Sequence, residues 1–352
     1  MVEQSSARQG TLSRPGVKEG DLQSQVRCLQ GSAGGKPCRV RSQRALGPRF
    51  ARPDDGQLIC ASQADVPRIL IFVSAPHPSA ARFDQEGSQV PKQGFSYRFR
   101  EAVARKPGRS VVRGLRATDQ GAPDFERFGH EHREYLRALE RAGVTVTVLP
   151  ALEEFPDSVF VEDAAFCLPN ATVILRPGAP SRRGEAAAMA AALAPLGHEI
   201  IPCEADGFID GGDILVTDSE ILVGLSERTN RSGFEWFRSV LERLDYEAKA
   251  MRTPDGVLHF KSDCCVLDSN TILATHRLSG ADCFRPYRVF TVPRGEEAAA
   301  NAIRVNDTVL LPAGFPATAE LLAGAGYAVE TVPASQASLL DGGLSCMSLR
   351  IH

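Results

Sequence analysis

The sequence predicts an α/β fold in which about five similar supersecondary units close into a radial array. Three observations carry this expectation. Short β-rich stretches, each ending in proline, recur through the last three-quarters of the chain. Helical stretches lead into several of them. Between them recurs a second pattern, a polar turn followed by another β-rich run.

The proline-terminated stretches are VTVTVLP (to Pro150), HEIIP (to Pro202), EAKAMRTP (to Pro254), VFTVP (to Pro293) and YAVETVP (to Pro333), at intervals of 52, 52, 39 and 40 residues. Of the helical stretches, PDFERFGHEHREYLRALERAG sets Phe125, Phe128, Tyr135, Leu136 and Leu139 on one stripe and stops at Gly143. GEAAAMAAALAPLG stops at Gly197, GFEWFRSVLERLD precedes the third strand, and TAELLAGAG precedes the fifth. The turn-and-strand pattern is PNATVILRPG, DSEILVGLS, DSNTILATH and VNDTVLLPAG. Helix, strand, turn and strand therefore cycle about five times. An ordinary α/β sheet alternates in the same way locally, but the repeated turn–strand unit favours a closed array. There, residues from distant modules can converge on a central pocket.

Residues 1–96 differ from this body. They are rich in Gly, Ser, Gln, Pro and Arg and show no sustained period of 2 or 3.6. They carry 13 Lys/Arg against 8 Asp/Glu, whereas 97–352 hold 27 against 35. Such composition does not bury enough apolar surface to offset chain entropy. Three readings stand: a disordered tail, an organelle-targeting peptide, or upstream sequence translated from an incorrect start. ILIFVSA at 69–75 is one stray strand candidate, and as the longest apolar run it is far too short to span a bilayer. The expected organisation is an extension over 1–96 and one catalytic domain over 97–352.

A net charge of −3 over 352 residues points to neither nucleic acid nor a membrane surface as partner. The nine cysteines are odd in number, include the adjacent pair Cys264 and Cys265, and nowhere show C-x-x-C spacing. A disulfide framework and a structural zinc site are both disfavoured, and a reducing compartment is expected. Sequons at Asn170, Asn230 and Asn306 lack a secretory signal and are not read as glycosylated. The expected location is cytoplasmic, with targeting by the extension left open.

Chemistry concentrates in a few places. Cys346 sits in DGGLSCMS near the C-terminus, and its glycines permit a tight bend. It is either a packed small hydrophobe or a nucleophile. Among the histidines, His130 and His132 lie on a charged helix and read as solvated, while His198 and His276 read as structural. His259, in GVLHFKSDCC, is open to either reading. EEFPDSVFVEDAAF offers Asp157, Glu162 and Asp163 about a short apolar run. Strand alternation would put Asp157, Val159 and Val161 on one face, with Phe160 and Glu162 on the other. Carboxylates on a half-buried strand suggest a cationic ligand, the alternative being a solvated loop. Asp210 and Asp213 flank Gly-Gly in FIDGGDILV: this is a turn, or Asp210 orients a histidine. Arg182, Arg183 and Arg228 could grip a carboxylate bidentately or form surface ion pairs.

Carboxylates for a cation, arginines for a carboxylate, a thiol, and a histidine with an acid partner form one set. A substrate with a guanidinium at one end and an amino-acid carboxylate at the other satisfies it. PDSVFVED, IDGGDIL, VGLSERTN, LHFKS and DGGLSCMS, in that order, resemble the dimethylarginine dimethylaminohydrolases. These belong to the guanidine-modifying superfamily of five-bladed ββαβ propellers, the pentein fold. The resemblance covers about 97–352. It implies Cys346 as nucleophile, His259 as proton donor and Asp210 as the acid orienting it. It implies substrate contacts from Asp157, Glu162 and Asp163, with Glu162 as the direct guanidinium partner. Arg182 and Arg228 would hold the amino-acid end, Leu115 would lie on a flexible lid, and Leu340 would be an apolar position before the glycines.

The implied activity is hydrolysis of methylated arginines to citrulline without cofactor or metal, although Cys346 and His259 could take up inhibitory zinc. The implied partner is the small-molecule methylarginine, and a homodimer is left open. Arginine deiminase-like hydrolysis is the alternative. There the histidine motif usually carries an aspartate two residues on, where this chain has Lys261. From other classes, the alternatives are a guanidinium-binding protein without turnover and a nucleic-acid role for the basic extension.

Overall fold

The computed structural model describes residues 94–197 and 199–352. Most of the expected extension, with ILIFVSA, His77, Cys28, Cys38 and Cys60, lies outside the described residues, as does His198.

The described chain runs β1 (Glu101–Arg105), α1 (Phe125–Arg141), β2 (Thr145–Leu149), then β3 (Ala165–Cys167), β4 (Ala171–Ile174), α2 (Glu185–Leu193) and β5 (Glu199–Ile201). It continues through β6 (Ile214–Val216), β7 (Ile221–Leu225), α3 (Arg231–Arg243), β8 (Ala248–Arg252), β9 (Cys264–Asp268), β10 (Thr271–Ala274) and β11 (Arg288–Thr291). The last elements are β12 (Ile303–Val305), β13 (Thr308–Pro312), α4 (Pro316–Gly324), β14 (Ala328–Val332) and β15 (Leu349–Ile351).

These strands make five three-stranded sheets: β15-β1-β2, β3-β4-β5, β6-β7-β8, β9-β10-β11 and β12-β13-β14. Every middle strand pairs antiparallel with the first and parallel with the third, as in Ile214↔Val223 and Ile221↔Ala248. A parallel neighbour needs a crossover, and the helices provide it, giving the ββαβ unit. The fourth sheet crosses with only a 3-10 turn, Asp282–Phe284, where no helical stretch was expected. β15 supplies the first strand to the sheet begun by β1, with Glu101 opposite Ile351, so the two ends of the described chain close the array.

All five proline-terminated stretches are third strands, and the turn-and-strand runs are middle strands. First strands from all five sheets contribute to the wall of a cavity at the centre of the array. Helices pack outside. The α1 stripe buries Phe128, Tyr135 and Leu139, and the Asp124 carboxylate caps the helix by accepting from Arg127 N–H at 2.7 Å.

His132, expected on the solvated face, is instead buried; burial pushes its pKa down to about 4, and its Nε2 has no partner among the described residues. The cause lies in neighbouring Glu131, which is buried too and accepts from Ser335 Oγ and Gln336 N–H at 2.6 and 2.9 Å. Those bonds draw the polar side of the helix under the chain that follows β14. Two sequon asparagines also serve the fold: Asn230 caps α3 through Gly233 N–H, and Asn306 bonds Phe99 N–H and Ala142 C=O. Gly94 and Ser96 donate to the Asp218 carboxylate, and the Phe95 ring stacks on His352 at 4.4 Å. No helix among the described residues is long and apolar enough to cross a membrane.

Candidate active site

A short 3-10 turn enters the first strand of each sheet: Val161–Ala164, Gly211–Asp213, Phe260–Ser262, Glu297–Ala300 and Ser345–Met347. Four of these turns carry or abut the expected chemistry, namely Glu162 and Asp163, Asp210, His259, and Cys346. Repetition of one local structure brings side chains far apart in sequence to one centre. EEFPDSVFVEDAAF accordingly does not form the alternating strand expected of it. Strand geometry begins only at Ala165, and residues 157–165 are buried on every side.

Leu115, Asp157, Asp163, Arg182, Arg228, His259, Leu340 and Cys346 line one cavity. The imidazole of His259 meets Asp210, its Nε2 lying 2.9 Å from Asp210 Oδ2, while Asp163 Oδ1 lies 4.0 Å from the same nitrogen. Burial alone would lower the His259 pKa; Asp163, the Asp210 hydrogen bond and Asp213 overcome it and raise it to about 9. The ring is therefore an imidazolium at neutral pH, and Nδ1, unbonded among the described residues, is the nitrogen left to exchange a proton. Asp163 stays below the usual carboxylate range because His259 and Arg182 outweigh its burial. The Gly-Gly pair is explained by crowding. A Cβ on Gly211 would stand 2.0 Å from Glu162 O, and one on Gly212 would stand 2.8 Å from the His259 ring.

Cys346 is buried, and burial, with Glu162 and Asp163 adding to it, pushes the thiol up to about 11. These surroundings favour a neutral thiol beside an imidazolium. The glycines before Cys346 admit neighbouring side chains: Phe160 packs where a Gly342 Cβ would be and Asn301 where a Gly343 Cβ would be, each at 2.3 Å. Asn301, which caps the Glu297–Ala300 turn, accepts from Ser345 N–H at 3.1 Å.

Asp157 holds the segment after Arg113, its Oδ1 accepting from Leu115 N–H at 2.9 Å. Leu115 itself is 38% exposed and Leu340 only 5%. Burial raises the Asp157 pKa against the pull of Arg182. The two arginines differ. Arg182 is buried and spends its guanidinium on Glu185, Asp163 and the carbonyls of Asp157 and Phe160. Arg228 makes no guanidinium hydrogen bond or ion pair among the described residues, and so is the cation open to a ligand. Glu162 stands behind this cavity and lines the central one. Its Oε1 accepts from Lys261 Nζ and Arg350 Nη2, both at 2.6 Å, and its Oε2 is buried without a partner.

Sequence reasoning missed the role of Asp213. Its carboxylate accepts from Ser226 Oγ and Thr229 Oγ1, flanking Arg228, and from Phe260 N–H, beside His259. Burial raises it to about 6. Asp341, also in the cavity wall, accepts from Ala117 N–H. A short polar side chain beside a Gly-Gly pair was the only signal for either. Asp163, Asp210 and His259 could together hold a metal ion. Their carboxylate oxygens, however, already accept from Gly212, Arg182, Gly178 and His259.

The sequence profile described as "N,N dimethylarginine dimethylhydrolase, eukaryotic" matches residues 124–267. The dimethylarginine dimethylaminohydrolase of Pseudomonas aeruginosa is 38% identical over 253 residues, 72% of this chain and 99% of that one. The enzyme of the same name from Streptomyces coelicolor is 32% identical over 256 residues, 72% of this chain and 97% of the relative. A solved structure of the Pseudomonas aeruginosa enzyme, a cysteine-to-serine variant with citrulline, superimposes with a TM-score of 0.70 at 37% identity, covering 72% of this chain and all of that one. On this likeness, which runs through nearly the full length of both relatives, the chain belongs to the dimethylarginine dimethylaminohydrolase family.

Proposed function

We propose that the protein hydrolyses Nω-methylated arginines, asymmetric dimethylarginine and monomethylarginine, to citrulline and dimethylamine or methylamine through a covalent adduct on Cys346. One observation carries this reading: Cys346 and His259 share a cavity with Asp157 and Asp163, and Asp210 backs the histidine.

The guanidinium carbon is a poor electrophile because resonance spreads its charge. A thiolate attacks it more readily than a hard base at neutral pH. Among these carboxylates alone the thiol keeps its proton. Bringing the substrate cation among Asp157, Asp163 and Cys346 favours the thiolate by charge pairing, and the thiol proton leaves to solvent. Sulfur then bonds to the central carbon. His259 gives its proton to the departing methylated nitrogen, which is otherwise a very poor leaving group. The C–N bond breaks, leaving a thiouronium-like adduct and a neutral imidazole. That imidazole takes a proton from water, hydroxide adds to the adduct carbon, and the C–S bond breaks as the new hydroxyl loses its proton to solvent, releasing citrulline. Cys346 returns as thiolate and His259 as imidazolium.

Lys261 supports a methylated substrate over plain arginine. Its ammonium turns away from this cavity to Glu162, so no second acid grips the guanidinium from the histidine side and room is left for N-methyl groups. Asymmetric dimethylarginine, arginine and agmatine supplied side by side test the proposal. Citrulline with dimethylamine from the first is expected, with little ammonia from the other two. Ammonia from arginine at a comparable rate would shift the assignment to a deiminase.

Arg228 is the free cation of the cavity and fits the substrate carboxylate. Arg228→Ala is expected to raise KM ~10- to 100-fold while kcat falls less than about threefold, since the contact is made in ground and transition states alike. A fall confined to kcat would place Arg228 elsewhere in the reaction.

A further inference from the structure

Arg350 lies on β15, four residues beyond Cys346, and none of the steps above uses it. Its guanidinium is sunk behind the nucleophile. Nη1 donates to the carbonyls of Ser345 and Ser348 at 3.1 and 3.0 Å and to Ser348 Oγ at 3.1 Å. Nη2 donates to Glu162 Oε1 at 2.6 Å. Ser345 and Ser348 bracket the turn that carries Cys346, and Ser348 Oγ is also 2.7 Å from the Tyr135 hydroxyl on α1. One planar fork thus ties the thiol's own turn to Glu162, which with Lys261 lines the central cavity and not the one that holds Cys346.

We propose that Arg350 is a positioning residue for the nucleophile: it fixes the Cys346 turn through two carbonyls and supplies the buried positive charge that, with Lys261, offsets Glu162 beneath the thiol. The inference rests on Cys346 being the nucleophile.

The charges around the sulfur explain why a cation is needed there. Asp157 and Asp163 face it from the cavity wall, Glu162 acts on it from behind, Asp341 lies on its own loop, and Tyr135 approaches from α1. Against them stand His259, Arg182 and Arg228 across the cavity, and Lys261 behind Glu162. Arg182 is committed to its own acids, and Arg228 faces the ligand. Arg350 is itself held charged, its burial opposed by Glu162, Tyr135 and Cys346. Lysine cannot replace it fully, because a single ammonium does not span two carbonyls and a carboxylate as a fork does.

The test compares Arg350→Gln and Arg350→Lys in the full chain. Two quantities are read: steady-state turnover of dimethylarginine, and the rate at which iodoacetamide labels the Cys346 peptide at pH 8.5, which follows its thiolate fraction. Arg350→Gln is expected to lower kcat ~100-fold with KM within about threefold, and to slow labelling about tenfold. Arg350→Lys should keep labelling near wild type while losing ~10-fold in kcat. Unchanged labelling in Arg350→Gln, or equal losses in both variants, would overturn the proposal. Should Arg350→Gln not fold, Glu162→Gln decides: labelling should rise, because Arg350 and Lys261 then face the thiol unopposed, and no rise counts against it. A Cys346→Ser variant that still turns over removes the nucleophile assignment itself. A dead Cys346→Ser beside wild-type labelling in Arg350→Gln removes only the role of Arg350.

Discussion

Cys346→Ser is expected to abolish dimethylamine release, a loss of ~10⁴-fold or more, while the protein keeps its fold and still binds substrate. The two atoms are close in size, and the Cys346 turn is held by Asn301 and Arg350 through backbone groups the substitution leaves in place. What changes is the nucleophile. Even with the thiol pushed up to about 11, a bound guanidinium can bring a sulfur within reach of ionisation at neutral pH. A serine hydroxyl starts several units higher and has no general base beside it, because His259 already carries its proton. The variant should therefore titrate with dimethylarginine to a normal endpoint and show no adduct by mass spectrometry. Amine release near the wild-type rate would reject Cys346 as nucleophile and leave it a packed hydrophobe.

The parts of the fold legible in the sequence were those long enough to show a pattern. The third strands end in proline, the middle strands follow polar turns, and α1 carries a clear apolar stripe. Four of the five first strands escaped because β3, β6, β12 and β15 are three residues each, shorter than any period can register. β1, EAVAR, offers only one outward polar residue before its buried run. The site was legible as a set of residue types that one substrate would satisfy, and the family resemblance put roles on them. Its wiring was not. Nothing in SRRGE says that Arg182 would be consumed by Glu185 and Asp163 while Arg228 stayed open. Nothing in VFVED says that Glu162 would turn its back on the catalytic cavity. The second follows from the quasi-equivalent turns, where neighbouring residues of one turn, Glu162 and Asp163 or Ser345 and Cys346, line opposite cavities, and turn geometry of that kind has no signature in a single sequence.

His259→Ala is expected to lower turnover of dimethylarginine ~10³-fold, within the range that a general acid supplies. The cause is the leaving group: without a proton from the imidazolium, dimethylamine would have to depart as its anion. An S-alkyl thiocitrulline, whose thiolate leaves without that proton, should still load Cys346 in the variant. The adduct should then stall, because water is no longer deprotonated. The same residue makes stability depend on pH. Asp163, Asp210 and Asp213 raise its pKa from 6.5 to about 9, so the folded protein holds the proton more tightly than the unfolded chain does. That stabilisation is complete below about pH 6.5 and fades as pH rises through about 9, a difference of roughly 3 kcal/mol. Urea titrations at pH 6 and pH 9.5 should show His259→Ala well below wild type at the lower pH and close to it at the higher. A gap between variant and wild type that does not change with pH would mean that the fold leaves the imidazole at its ordinary pKa near 6.5, mostly neutral at pH 7. The proton it is assigned to give the leaving amine would then have to come from another group of the cavity, and Asp157 is the carboxyl in its wall whose pKa burial raises.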